Sequence, residues 1–320
     1  VAGTSKNSNK RQNKARTSGN PAKRPVVEAG PVTLGDWIGA ARLRTLPLAL
    51  TPVIIGTASA QITDQRFHWV LALACLAVAL LLQIGVNFAN DYSDGIRGTD
   101  AFREGPARLT GSKRVSPKKV LAVALVFFAL AAIVGLAIVW RTQEWWLLGV
   151  GAAALLAAWF YTGGKRPYGY AGLGELFVFV FFGLVATLGT TWVQAGRLTD
   201  NAWIGAIIAG LFAVAVLITN NLRDIQGDRA AGKKTLSVLI GRTWSRVLYT
   251  LFIVFAFLLV ALLALFYPIA WLGLFALLAA GPAILIVWTY RLPKELIVAL
   301  TLTSLSSLIV AGAIYWAFVG

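Results

Sequence analysis

Residues 68–94 read HWVLALACLAVALLLQIGVNFANDYSD. Almost every position up to Ala89 is apolar, and the run reaches the ~20 residues a helix needs to cross a bilayer. It is uniformly apolar rather than alternating and too long for a strand, so it reads as a membrane helix and not as part of a barrel. Its end changes character abruptly, with Asn87, Asn90, Asp91 and Asp94 arriving within eight residues. On a helix, Asn87, Asp91 and Asp94 are separated by four and then three positions and share a face, and Asn90 with Asp94 makes a second such pair. Carboxylates at the margin of an apolar span are costly and usually functional.

The rest of the chain has the same composition. Of 320 residues, 58% are hydrophobic and 13% charged, with a mean hydropathy of +0.73, the profile of a polytopic membrane protein. Apolar segments lie at about 37–60, 68–90, 119–140, 145–163, 174–193, 202–222, 246–267, 268–290 and 296–318. They predict an all-α membrane protein of nine transmembrane helices in one bundle over 34–320, with cap loops on one side. A disordered basic tail is expected over 1–33, because its first thirty residues are rich in Lys, Arg, Asn, Ser and Gly. That tail lacks the apolar core of a signal peptide.

A net charge of +16 would point to nucleic acid in a soluble protein, but its distribution argues otherwise. With nine spans, Arg66, Arg141 and Arg197 alone of the 29 Lys and Arg fall on one side of the membrane. By the positive-inside rule the N-terminus and the Asp-containing ends are cytoplasmic, and the C-terminus lies outside. No nucleic-acid partner is expected. Cys75 is the sole cysteine and reads as packing; His68, beside Trp69, reads as an interfacial residue.

Acid is scarce and clustered. Only 13 residues are Asp or Glu, yet Asp91, Asp94, Asp100 and Glu104 follow the second segment, and Asp224 and Asp228 close the sixth in ITNNLRDIQGDRAAGKK (218–234). Asn220, Asp224 and Asp228 are spaced by four, again one helix face, and Lys233 and Lys234 follow. Two halves of the chain thus repeat one plan: a span, then Asn with two Asp, then cations. Between them lies YTGGKRPYGYAGLGE (161–175), with Lys165 and Arg166 among tyrosines and Glu175 placed to favour a helix N-terminus. Two carboxylate pairs flanked by cations and backed by apolar helices suit Mg²⁺ and a diphosphate carrying a lipid tail. Mg²⁺ takes oxygen ligands and bridges carboxylate to phosphate, while cations offset charge on the departing diphosphate. No His or Cys cluster invites zinc or iron.

NDYSD (90–94) and DIQGD (224–228) resemble the two aspartate-rich motifs of the UbiA superfamily of intramembrane aromatic prenyltransferases, and the resemblance covers about 34–318. GPARLTGS (105–112), YTGGKRPYGYAGLGELFVFVFFG (161–183) and DRAAGKKTLSVLIGR (228–242) are similar to the branch that uses 1,4-dihydroxy-2-naphthoate. The resemblance implies that Asn90, Asp91, Asp94, Asp224 and Asp228 hold Mg²⁺ and a polyprenyl diphosphate, with the four aspartates as the catalytic set. Arg108, Tyr161, Lys165, Arg166, Asn220 and Lys233 are the implied substrate contacts. One departure occurs: the general first motif ends in Asp where this chain has Gly98, with Asp100 two residues on, so Asp100 as a ligand stays open. The implied reaction is transfer of the polyprenyl group to 1,4-dihydroxy-2-naphthoate with loss of diphosphate and CO₂, giving demethylmenaquinone at the plasma membrane. Two alternatives stay open: another acceptor, such as 4-hydroxybenzoate or homogentisate, and a cation-coupled transporter, where acids and half-repeats also occur.

Overall fold

The computed structural model describes residues 31–102 and 108–320, so most of the expected tail and Glu104 lie outside the described residues. Among the described residues every regular element is helical. A short helix α1 (Leu34–Ala40) opens with a capping box in which Thr33 and Asp36 satisfy each other's backbone. Arg114 then clamps the Asp36 carboxylate at 2.7 and 2.9 Å. Arg42 takes a left-handed conformation, and the chain bends by 47° into α2 (Pro47–Asp64). Proline at the first helical position costs no hydrogen bond there, so the bend falls just ahead of Pro47.

The remaining helices are α3 (Trp69–Arg97), α4 (Pro117–Thr142), α5 (Leu147–Phe160), α6 (Gly174–Ala195), α7 (Asp200–Ala230), α8 (Leu236–Phe266), α9 (Pro268–Thr289) and α10 (Glu295–Val319). Seven described helices are long and apolar enough to cross a membrane, and α1 with α2 makes an eighth if counted as one bent span. The expected fourth crossing, 145–163, is the 14-residue α5. At 1.5 Å per residue it spans about 21 Å, short of the ~30 Å hydrocarbon core. The multi-pass membrane fold therefore holds; among the described residues seven or eight helices qualify as crossings by length and apolarity, and the count of nine expected from the sequence is not established by that measure.

Helix α7 is the pillar of the bundle: 78% of its apolar window is buried, more than in any other described span. Small residues make this possible. A Cβ added at Gly183 of α6 would stand 2.5 Å from the Gly210 Cα of α7, so the two backbones touch where α6 carries a π-helical turn, Phe179–Val185. Phe212, Ile253, Val260, Leu263 and Ile314 fill the core beside it. Lipid chains are as apolar as leucine, so burial of apolar area is not what joins these helices; close packing and interhelical hydrogen bonds are. Thr51 pairs with Ser307 at 3.0 Å, Gln194 donates to Thr57 at 3.0 Å, and Tyr249 pairs with Thr303 at 2.7 Å. Leu73, Ile133, Leu258, Leu278 and Leu285 face outward, as a lipid-bathed surface requires.

Candidate active site

The ends of α3 and α7 meet at one cavity of about 400 Å³, whose lining includes Asn90, Asp91, Asp94, Arg108, Tyr161, Tyr170, Asn220, Arg223, Asp224, Asp228 and Lys233. Helix α3 delivers the first motif, then stops at Gly98, whose φ of +71° suits a residue without a Cβ. Asp94 is 2% exposed and carries three donors from three separate loops: Arg108, the Tyr170 hydroxyl and Lys233 Nζ, the last at 3.0 Å. Lys233 also reaches Asp228 Oδ1 at 3.7 Å. One ammonium thus stands between acids 134 residues apart in the chain.

The second motif is organised differently. Arg223, 5% exposed, grips its neighbour Asp224 through two hydrogen bonds of 2.9 and 2.6 Å and donates to Asn220 Oδ1 at 2.6 Å. A buried arginine needs such a bidentate partner. Asn90 accepts from the Thr162 hydroxyl at 2.7 Å, tying α3 to the turn after α5. Burial works against the charge on Arg108, but Asp94, Asp100 and Asp91 outweigh it and hold the guanidinium more firmly protonated than a free one. Burial, reinforced by the Asp94 carboxylate, pushes the Tyr170 phenol well above its ordinary range, so it stays a hydrogen-bond donor.

Most of the residues singled out in the sequence converge here, with instructive departures. Lys165 and Arg166 are exposed and do not line the cavity. Arg97 donates to the carbonyls of Thr162 and Gly164, which fixes the turn and leaves the next two side chains pointing to its outer face. Asp91 was grouped with Asp94 as a metal ligand, yet its two oxygens accept the backbone N–H groups of Leu109 and Thr110 at 2.9 and 2.8 Å. Asp100 sits on Arg108 at 3.4 Å. Sequence reasoning passed over Arg223, although its place inside the second motif was a usable signal. Tyr170 is among the tyrosines that the sequence leaves without a role; nothing local tells its hydroxyl from that of Tyr168, which donates to the Ala157 carbonyl at 2.7 Å. Glu175, in the first turn of α6 as expected, is buried and accepts from Asn221 at 2.9 Å.

A second cavity of about 440 Å³, lined almost wholly by apolar side chains of α2 to α6, shares Tyr161, Val178 and Phe182 with the first. Its far end is marked by Cys75, Val139, Leu147 and Val193, so it runs through most of the bundle's depth.

The 1,4-dihydroxy-2-naphthoate octaprenyltransferase of Mycobacterium tuberculosis is 46% identical over 293 residues, covering 88% of this chain and 97% of the relative. The enzyme of the same name from Haemophilus influenzae is 36% identical, covering 86% of this chain and 92% of its own. Among solved structures, a UbiA homolog from Archaeoglobus fulgidus bound to GPP and Mg²⁺ superposes with a TM-score of 0.62 at 14% identity, covering 88% of this chain and 99% of that one. Residues 49–297 match the UbiA prenyltransferase family. With that match spanning most of the bundle, and both acidic motifs meeting at one cavity, this chain belongs to the UbiA prenyltransferase family.

Proposed function

We propose that this protein transfers a polyprenyl group from its diphosphate to 1,4-dihydroxy-2-naphthoate, releasing diphosphate and CO₂ and giving the prenylated quinol, demethylmenaquinol. The observation that carries the reading is Lys233, one positive charge held against both Asp94 and Asp228 in a cavity that adjoins a long apolar one. The names of the mycobacterial and Haemophilus relatives support the naphthoate as acceptor.

Mg²⁺ is the metal this donor set fits. Asn90, Asp94, Asp224 and Asp228 offer hard oxygen ligands around one cavity. Among the described residues no group of three or more His, Cys, Asp or Glu forms a ready-made cage. That suits an ion usually bound by one or two carboxylates together with phosphate oxygens. When bound, Mg²⁺ would neutralise charge on the diphosphate and favour its departure. The protein's own groups do the rest. Arg108 and Lys233 balance the leaving diphosphate, and the Tyr170 hydroxyl holds Asp94 in place. Tyr161 and Phe182, at the boundary between the cavities, present aromatic faces to the allylic cation. The apolar cavity sheathes the prenyl tail and keeps water from that cation. The electron-rich ring, positioned beside it, attacks and then releases its carboxyl group as CO₂.

The positive-inside rule favours a site and N-terminus on the cytoplasmic side of the plasma membrane, with the C-terminus outside. Mass analysis of the product formed from dihydroxynaphthoate, a polyprenyl diphosphate and Mg²⁺ tests the reading. A prenylated ring lacking the carboxyl group is expected; no covalent product, or faster transfer to 4-hydroxybenzoate or homogentisate, would overturn it.

A further inference from the structure

We propose that Asp91 is a positioning residue: although it lines the same cavity as Asp94, it clamps the backbone of the 108–112 turn and thereby aims Arg108 at the diphosphate site. The two aspartates are three positions apart on one helix and equally buried, at 2% exposure each, but their partners differ in kind. Asp94 is met by side chains that carry charge or a mobile hydroxyl. Asp91 is met by main chain, one carboxylate oxygen accepting the Leu109 N–H at 2.9 Å and the other the Thr110 N–H at 2.8 Å. A carboxylate bonded to two successive amides is a fork that fixes both position and direction of the peptide plane.

Two further observations show that the turn is docked and not merely adjacent. Gly95, one turn beyond Asp91, lies so close to Thr110 that a Cβ there would run into it. Leu109, the residue whose amide is held, is 3% exposed and packs in a core with Phe88 and Val115. Immediately before the clamped pair stands Arg108, which donates to the Asn90 carbonyl at 2.7 Å and reaches both Asp94 and Asp100. The clamp therefore sets where this largely buried guanidinium sits, and arginine binds phosphate oxygens best when its fork is pre-oriented.

The kinetic part of this proposal rests on the prenyl-transfer reading; its structural part does not, and the experiment separates them. Hydrogen exchange of the amides in 108–112 is measured by mass spectrometry for wild type, Asp91→Asn and Asp94→Asn, without substrate. Asn cannot accept both amides, so Asp91→Asn is expected to speed exchange in this turn by about tenfold to a hundredfold, the weight of a charge-assisted hydrogen bond, with α7 still protected. Asp94→Asn is expected to leave the turn's exchange within about twofold of wild type, because both amide acceptors remain. Unchanged exchange in Asp91→Asn would overturn the clamp whatever reaction the protein performs.

In transfer assays, Asp91→Asn and Arg108→Gln are expected to raise the KM for prenyl diphosphate by a similar factor of about ten, with the double variant no worse than either alone and the Mg²⁺ midpoint unmoved. A Mg²⁺ midpoint shifted tenfold in Asp91→Asn, or losses that multiply in the double variant, would overturn the positioning role in favour of metal ligation. Arg108→Gln carries the test even if Asp91→Asn fails to fold: wild-type KM in it would equally overturn the proposal.

Discussion

The ends of α3 and α7 carry the same sequence plan but are held in place by opposite means. At the end of α3, Asp94 depends on donors from three loops, at Arg108, Tyr170 and Lys233. At the end of α7, Asp224 is secured by Arg223, the residue before it, which also holds Asn220. The first motif is assembled by tertiary structure and the second largely by one helix. The lesson is that an internal repeat of residues need not be a repeat of environment. At the first motif the buried acid is met by side chains from three loops, and at the second Asp224 is met by the residue beside it on the same helix.

The comparison yields predictions of decreasing size. Removing divalent metal with EDTA should silence both motifs together, abolishing transfer, and added Mg²⁺ should restore it; EDTA-resistant turnover measured by product formation would remove the metal from the site. Asp94→Ala and Asp228→Ala should each lower kcat by about 10²–10³-fold, the range for losing one preorganised electrostatic group, with normal membrane insertion; near wild-type turnover in either would break the pairing of the motifs. Tyr170→Phe removes one donor from Asp94 and should cost about tenfold, whereas Arg223→Ala removes the bidentate partner of the buried Asp224 and should lower stability by about 1–3 kcal/mol. A thermal melt in detergent separates the two: a lowered midpoint is expected for Arg223→Ala and an unchanged one for Tyr170→Phe. Lys165→Ala and Arg166→Ala, at exposed positions, should change transfer by less than about twofold.

The bundle was legible in the sequence because a membrane helix needs only length and apolarity, which are local properties. The acids were legible because charge beside lipid is conspicuous, and spacings of three and four state which residues share a face. What was hidden depends on chain closure. No periodicity in 161–175 says that Arg97 will take the inner face of that turn and leave Lys165 and Arg166 outside. Nor does NDYSD announce that Asp91 is met by backbone and Asp94 by side chains, since both lie on the same helix end and differ only in what packs there. The shortness of α5 escaped notice for a related reason: Trp145, Trp146 and Tyr161 extend the apolar run without extending the helix.

The central claim is that the two motifs form one diphosphate site rather than two. Its most direct test is the stoichiometry of Mg²⁺-dependent polyprenyl diphosphate binding, measured calorimetrically on purified wild type, Asp94→Asn and Asp228→Asn. One molecule should bind per wild-type chain, and either substitution should remove that binding. Two molecules bound by wild type, with one retained in each variant, would contradict the claim.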